Sequence, residues 1–96
     1  MVPDISVHER ACRAFIETLR RSEDMLFSRD EVVISEKKKI GDPLVCAVEA
    51  HKGNGDSSRA TGKAYVYGDL VVVCVESVWK RFMEPVYPHH YEYLGY

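Results

Sequence analysis

Between Ala11 and Leu19 the apolar residues Ala11, Cys12, Phe15, Ile16 and Leu19 recur at intervals of three and four. That spacing gathers them on one face of a helix. Arg10, Arg13, Glu17, Arg20 and Arg21 fill much of the other face. Ser6 followed by Glu9 has the spacing of a capping box. Arg20 and Arg21 fall where cations complement the dipole of a last turn. The pattern predicts an amphipathic helix over 6–21. After a connector, with one helical turn expected around Met25–Phe27, the period changes from 3.6 to 2.

Alternation then predicts strands over 31–36, 43–51, 60–67 and 70–80. In the second, Leu44, Cys46, Val48 and Ala50 point one way, and Val45, Ala47, Glu49 and His51 the other. Gly68-Asp69 suits a two-residue type II′ turn, since glycine takes positive φ at the first central position. The run "LVVVCV" is apolar on both faces, which marks a central strand or one covered twice. Lys37–Lys39 read as a solvated edge or turn, "IGDP" as a turn and "KGNGDSS" as a polar loop. The tail 83–96 carries four tyrosines and is too aromatic for a flexible linker. It is expected to pack along the body or onto a neighbour.

These elements make one domain, 1–96, of α+β class: an N-terminal amphipathic helix packed on a roughly four-stranded antiparallel meander. At 96 residues, 46% hydrophobic and 29% charged, the composition is that of a globular chain. A net charge of −2 gives no electrostatic footprint for nucleic acid or an anionic membrane. Cys12, Cys46 and Cys74 lie far apart, a pattern that fits reduced, buried thiols rather than a disulfide framework. With no apolar leader at the start and no apolar run long enough to span a bilayer, a cytoplasmic location is expected. One face of such a sheet is left for a second layer, so a homodimer is expected.

No catalytic motif stands complete. His8 and Glu17 are the acid–base candidates left on the helix once Glu9 is assigned to the cap. Glu49 and Glu76 are lone carboxylates within apolar strands, candidates to face a cleft or an interface. Tyr65, Tyr67, Trp79, Tyr87, Tyr91 and Tyr93 are the residue types favoured at binding surfaces. No metal site is expected, because the adjacent His89 and His90 point to opposite sides of an extended segment. No cofactor is expected either, since "GNG" lacks the following helix and the lysine–hydroxyl pair of a phosphate loop.

From Ile40 onward, "KKKIGDPLVCAVEAHK" and "RATGKAYVYGDLVVVCVESVWKR" resemble the second half of a hotdog domain, the fold of acyl-thioester dehydratases and thioesterases. The likeness rests on Gly41-Asp42, Gly62 and Val66-Tyr67-Gly68-Asp69-Leu70-Val71, and covers about half of the chain. It implies a shortened hotdog, dimeric, that binds or hydrolyses an acyl thioester carried on acyl-CoA or acyl carrier protein. The family's His-Phe-Pro-Gly-like segment and its leading strand are absent, so only Glu17 and His8 are left to inherit its acid–base role. A second reading is a non-enzymatic interaction module, an inhibitor or assembly factor, that docks on a partner protein through its sheet and tyrosine-rich tail.

Overall fold

The computed structural model describes residues 5–39, 41, 43–53, 57–80, 85–88 and 90–95. Helix α1 (Ile5–Glu23) is followed by a 3-10 turn (Arg29–Glu31). Strands β1 (Val32–Lys39), β2 (Leu44–His51), β3 (Arg59–Tyr67), β4 (Leu70–Trp79) and β5 (His90–Gly95) complete the chain. The strands form one antiparallel sheet in the order β1-β2-β3-β4-β5, and α1 lies on one face across β3 and β4. The α+β architecture expected from the sequence is thus observed, with one strand more. Among the described residues, no helix is long and apolar enough to cross a membrane.

The core is the layer between α1 and the sheet. Ala11, Cys12, Ala14, Phe15 and Leu19 of the helix are fully buried against Cys46, Val48 and Ala50 of β2, Ala60 and Ala64 of β3, and Val71, Val73 and Val75 of β4. Thr18 is buried with them, its hydroxyl satisfied by the Ala14 carbonyl one turn back, at 2.8 Å. The alternation read from the sequence of β2 is the observed one, its first set facing the helix.

Helix and sheet meet most closely at Gly62. A Cβ there would collide with the Cys74 carbonyl oxygen and lie 2.8 Å from Phe15 Cε1. Beside it the β3–β4 register shifts between Thr61 and Gly62, so that Glu76 is the extra residue of a bulge. Beyond the bulge Val78, paired with Ala60, is again fully buried.

Each end of α1 differs from its sequence reading. The described helix runs from Ile5 to Glu23, so it begins before Ser6 and extends two residues past Arg21. Glu9 is turned to Arg29, with Oε1 2.9 Å from Nε, and to Arg13 at 3.6 Å. The capping-box contacts occur instead at the 3-10 turn, where the Glu31 carboxylate accepts from the Ser28 backbone N–H at 2.9 Å. At the C-terminus Asp24 takes φ +54°, a left-handed stop that asparagine and aspartate tolerate. The Met25 N–H then reaches back to the Leu19 carbonyl at 3.2 Å. Met25 and Phe27 are buried without forming the helical turn expected there; the 3-10 turn falls at Arg29–Glu31.

Two corrections concern the sheet. Strand β1 runs on through Lys39, past a register shift between Ile34 and Glu36, so the three lysines belong to the edge strand itself. The expected end at residue 36 was set by where hydrophobicity stops, yet an edge strand needs apolar side chains only where the helix covers it. The tail supplies β5, whose backbone pairs Tyr91 with Cys74 and Tyr93 with Val72, after an isolated bridge between Val86 and Val78. A meander of four would leave "LVVVCV" at an edge; β5 makes β4 internal, as its two-faced apolar pattern requires. The Gly68-Asp69 hairpin is as expected, with Tyr67 paired to Leu70 and φ +56° at Gly68.

Because the clash at Gly62 is with backbone, a Gly62→Ala substitution should lower unfolding free energy by at least about 1–3 kcal/mol. The companion change Phe15→Leu, which removes the ring but leaves the Cys74 carbonyl in place, should not restore it. Urea denaturation of the single and double variants checks this; recovery in the double variant would shift the constraint from the backbone to the ring.

Candidate functional site: the uncovered sheet face

Strand alternation sends every second residue away from α1, and no second layer covers that side among the described residues. At the hairpin end, Tyr65 and Tyr67 of β3, Leu70 and Val72 of β4, and Tyr91 of β5 line an open groove of about 460 Å³. Tyr91 is 64% exposed, Tyr67 45% and Leu70 38%, so these rings and the leucine stand in water. Beneath them Cys74 is nearly buried, and its interaction with the Tyr91 hydroxyl raises that phenol above its ordinary range. A smaller depression of about 210 Å³ lies nearer β1, lined by Glu36, Lys38, Val45, Ala47 and Lys63.

The aromatic residues singled out in the sequence fall into two groups. Tyr65, Tyr67 and Tyr91 share the groove. Trp79 lies at the opposite end of β4 from Val72, about 23 Å away at the rise of an extended strand. There the Arg59 guanidinium stacks over its ring at 4.0 Å, and Tyr87 meets it edge-on with centroids 6.5 Å apart. Tyr93 is paired with Val72 through the backbone, but its side chain lies outside those described. Leu70 and Val72 were missed by residue-type reasoning. The two-residue turn carries the signal that finds them, since it sets Tyr67 opposite Leu70 and Tyr65 opposite Val72.

Each candidate carboxylate lies beside a basic side chain. Glu76 is exposed and 3.6 Å from Lys63, and Glu49 lies 3.6 Å from His51. On α1, Glu17 accepts from Arg20 Nε at 3.1 Å and Arg21 Nε at 2.9 Å. Those hydrogen bonds, that with Arg20 foremost, hold its carboxyl below the usual carboxylate range. His8 sits nine residues earlier, about 13 Å along the helix axis, and its Nε2 accepts from the Lys37 ammonium at 3.3 Å. The structure therefore does not bring His8 and Glu17 together. Arg10, assigned to the polar face, reaches across to donate to the Gly68 carbonyl and ties α1 to the hairpin turn.

Burial pushes the Cys12 and Cys46 thiols up, so both stay protonated and un-nucleophilic at neutral pH. Among the described residues, no group of three histidine, cysteine or carboxylate side chains is arranged to hold a metal ion. His89 and residues 54–56 of the "GNG" loop lie outside the described residues. A further pocket of about 430 Å³ opens beyond the helix end, lined by residues that include Met25, Leu26, Phe27, Lys52 and Lys80. Its lysines are paired, Lys52 with Glu31 at 3.3 Å and Lys80 with Glu23 at 4.0 Å. No protein-family model, curated protein or solved structure matches the chain.

Glu17 and Glu31 are both held below their ordinary 4.5, Glu31 chiefly by the Ser28 backbone N–H. The unfolded chain then binds more protons than the fold at and below that pH, so their stabilisation is complete above 4.5 and is lost as pH falls through the lower folded values. Chemical denaturation at pH 7, 4.5 and 3 should show this fall, and Glu17→Gln with Glu31→Gln should flatten it. An equally steep profile in the double variant would assign the acid sensitivity to other carboxylates.

Proposed function

We propose that the chain is a non-enzymatic protein-interaction module whose docking surface is the uncovered sheet face, and that the protein it takes there is a second copy of itself. The observation that carries this reading is the open groove lined by Tyr65, Tyr67, Leu70, Val72 and Tyr91, of which Tyr67, Leu70 and Tyr91 are exposed and Tyr65 and Val72 half-buried. Exposed apolar patches of this kind, rich in tyrosine, mark sites of protein association. The acid–base pair implied by the hotdog resemblance receives no comparable support, because Glu17 is engaged by two arginines and His8 lies apart from it.

Two features favour a second copy as occupant. With strands of 8–10 residues in β1 to β4, the face measures about 27 by 19 Å, or roughly 500 Å² of flat area. Two such faces together reach the ~1,000 Å² that a specific interface needs. Across the central strands β2 to β4, the outward charges are Glu49 and Glu76 against Arg59 and Lys63. The signs balance, so a two-fold stack does not set one sign against itself. Aligned sheets packed face to face, about 10 Å apart, are an ordinary way to bury such surfaces.

The test is solution mass against concentration, by sedimentation equilibrium, for the parent chain and for Val72→Lys with Leu70→Asp. Substituting two groove residues while sparing the helix-facing core should leave the circular dichroism unchanged. It should raise the dimer dissociation constant by at least about tenfold. A parent chain that stays monomeric over the whole range would overturn self-pairing. A dimer indifferent to both substitutions would place its interface on another surface.

A further inference from the structure

Most cationic side chains among the described residues have a partner. Arg13 and Arg29 hold Glu9, Arg20 and Arg21 hold Glu17, Lys52 holds Glu31, Lys63 holds Glu76 and Lys80 holds Glu23. Arg10 donates to the Gly68 carbonyl, Arg59 stacks on Trp79, and Lys37 donates to His8. Lys38 and Lys39 alone have none among the described residues. Both stand exposed at the end of β1, the strand that opens one edge of the sheet and pairs only with β2.

We infer that this edge is a second docking site, one that takes an extended acidic peptide segment by strand addition. An edge strand presents a row of backbone N–H and C=O groups turned away from its neighbour, a template for an added strand. Main-chain hydrogen bonds supply affinity in that mode, and flanking side chains supply choice. Register sets the choice here. Lys39 pairs with Leu44, which packs on the helix-side core, and Lys38 pairs with Val45 of the opposite face. Consecutive residues of an added strand also alternate between faces. Two adjacent acidic residues would therefore each meet one lysine, one on either side of the sheet.

Lysines on an edge usually deter pairing, and here they do so selectively. Set against the lysine end of another copy's β1 they repel; set against an acidic strand they attract, so the pair favours an acidic partner. Glu36 is the opposing charge on β1, and with Lys38 and Lys63 it lines the depression of about 210 Å³ beside Val45 and Ala47. Its place on the outer face directs the acidic pair toward the Lys38–Lys39 end of the strand. A polynucleotide shares the attraction to lysine but offers no main-chain partner for the edge, and the net charge of −2 disfavours it. This site stands apart from the sheet face proposed above, since an added strand lies in the plane of the sheet.

Titration of the isotopically labelled full chain, followed by backbone amide resonances at low salt, tests the inference. The probes are a short valine- and threonine-rich peptide with a central Glu-Asp, the same peptide with Lys-Lys, and oligothymidylate. The acidic peptide should give saturable shifts centred on residues 36–39 that weaken as salt is added. The variant Lys38→Glu with Lys39→Glu should bind it about tenfold more weakly and gain affinity for the Lys-Lys peptide, an exchange of preference that partial unfolding cannot imitate. Absence of shifts, equal binding of both peptides, or shifts centred on Tyr65 and Tyr91 would overturn it. Tighter binding of oligothymidylate to the same amides would overturn it in favour of phosphate recognition.

Discussion

The contact of Phe15 with Gly62 sets the geometry of everything else. A helix seats flat on a sheet only where the backbone beneath it is bare enough to admit a large ring, and Gly62 is the residue of β3 that provides this. The Phe15 ring reaches the bulge between β3 and β4, with the Cys74 carbonyl and the Val75 backbone close around the bare Cα. Once that point is fixed, the parity of each strand follows. Cys46, Val48, Ala60, Ala64, Val71, Val73 and Val75 go inward, and a one-residue slip in any strand would send its set outward. The bulge returns Val78 to the inner side after Glu76 and Ser77 have passed on the outer one, so the core extends past the irregularity instead of ending at it.

Among the described residues, no second layer covers the opposite face. Tyr65, Tyr67, Leu70, Val72 and Tyr91 come from three strands and gather because antiparallel pairing sets them side by side. Against this apolar end, many of the described polar groups are engaged with each other. Glu9 and Glu17 of the helix are taken by arginines, Glu23 by Lys80 and the bulge glutamate by Lys63, and the Cys12 and Cys46 thiols stay protonated through burial. A surface with its charges paired and its aromatics exposed is suited to association, whereas acid–base chemistry needs titratable groups left available at a cleft. Lys38 and Lys39, without a partner among the described residues, stand outside that balance and give the edge a character of its own.

Much of this was legible from the residues in order. The 3.6 period of Ala11 to Leu19, the alternation in β2 and the Gly-Asp turn are local signals, each decided by neighbours within one element. Errors came where the deciding partner is distant in the chain. Glu9 has capping spacing from Ser6, but Arg29, twenty residues on, holds its carboxylate. Lys37 to Lys39 looked like the end of a strand because hydrophobicity stops, yet pairing with Leu44 to Cys46 carries the strand on. The composition of the tail points to packing along the body but not to a strand, which forms because β4 offers it an edge to pair with. Trp79 and the groove tyrosines, grouped by residue type, lie at opposite ends of β4 because an extended strand separates them along its length.

What the sequence by itself determined is the helix, the first four strands and the two-sided patterns of α1 and β2, since periodicity and turn stereochemistry act over a few residues. Only the tertiary structure decided that a fifth strand pairs beside β4, which tyrosines share a groove and, among the described residues, which face stays uncovered and which lysines lack a partner. Those outcomes depend on pairings between segments far apart in the chain, whose free energy appears only when the backbone brings them into register.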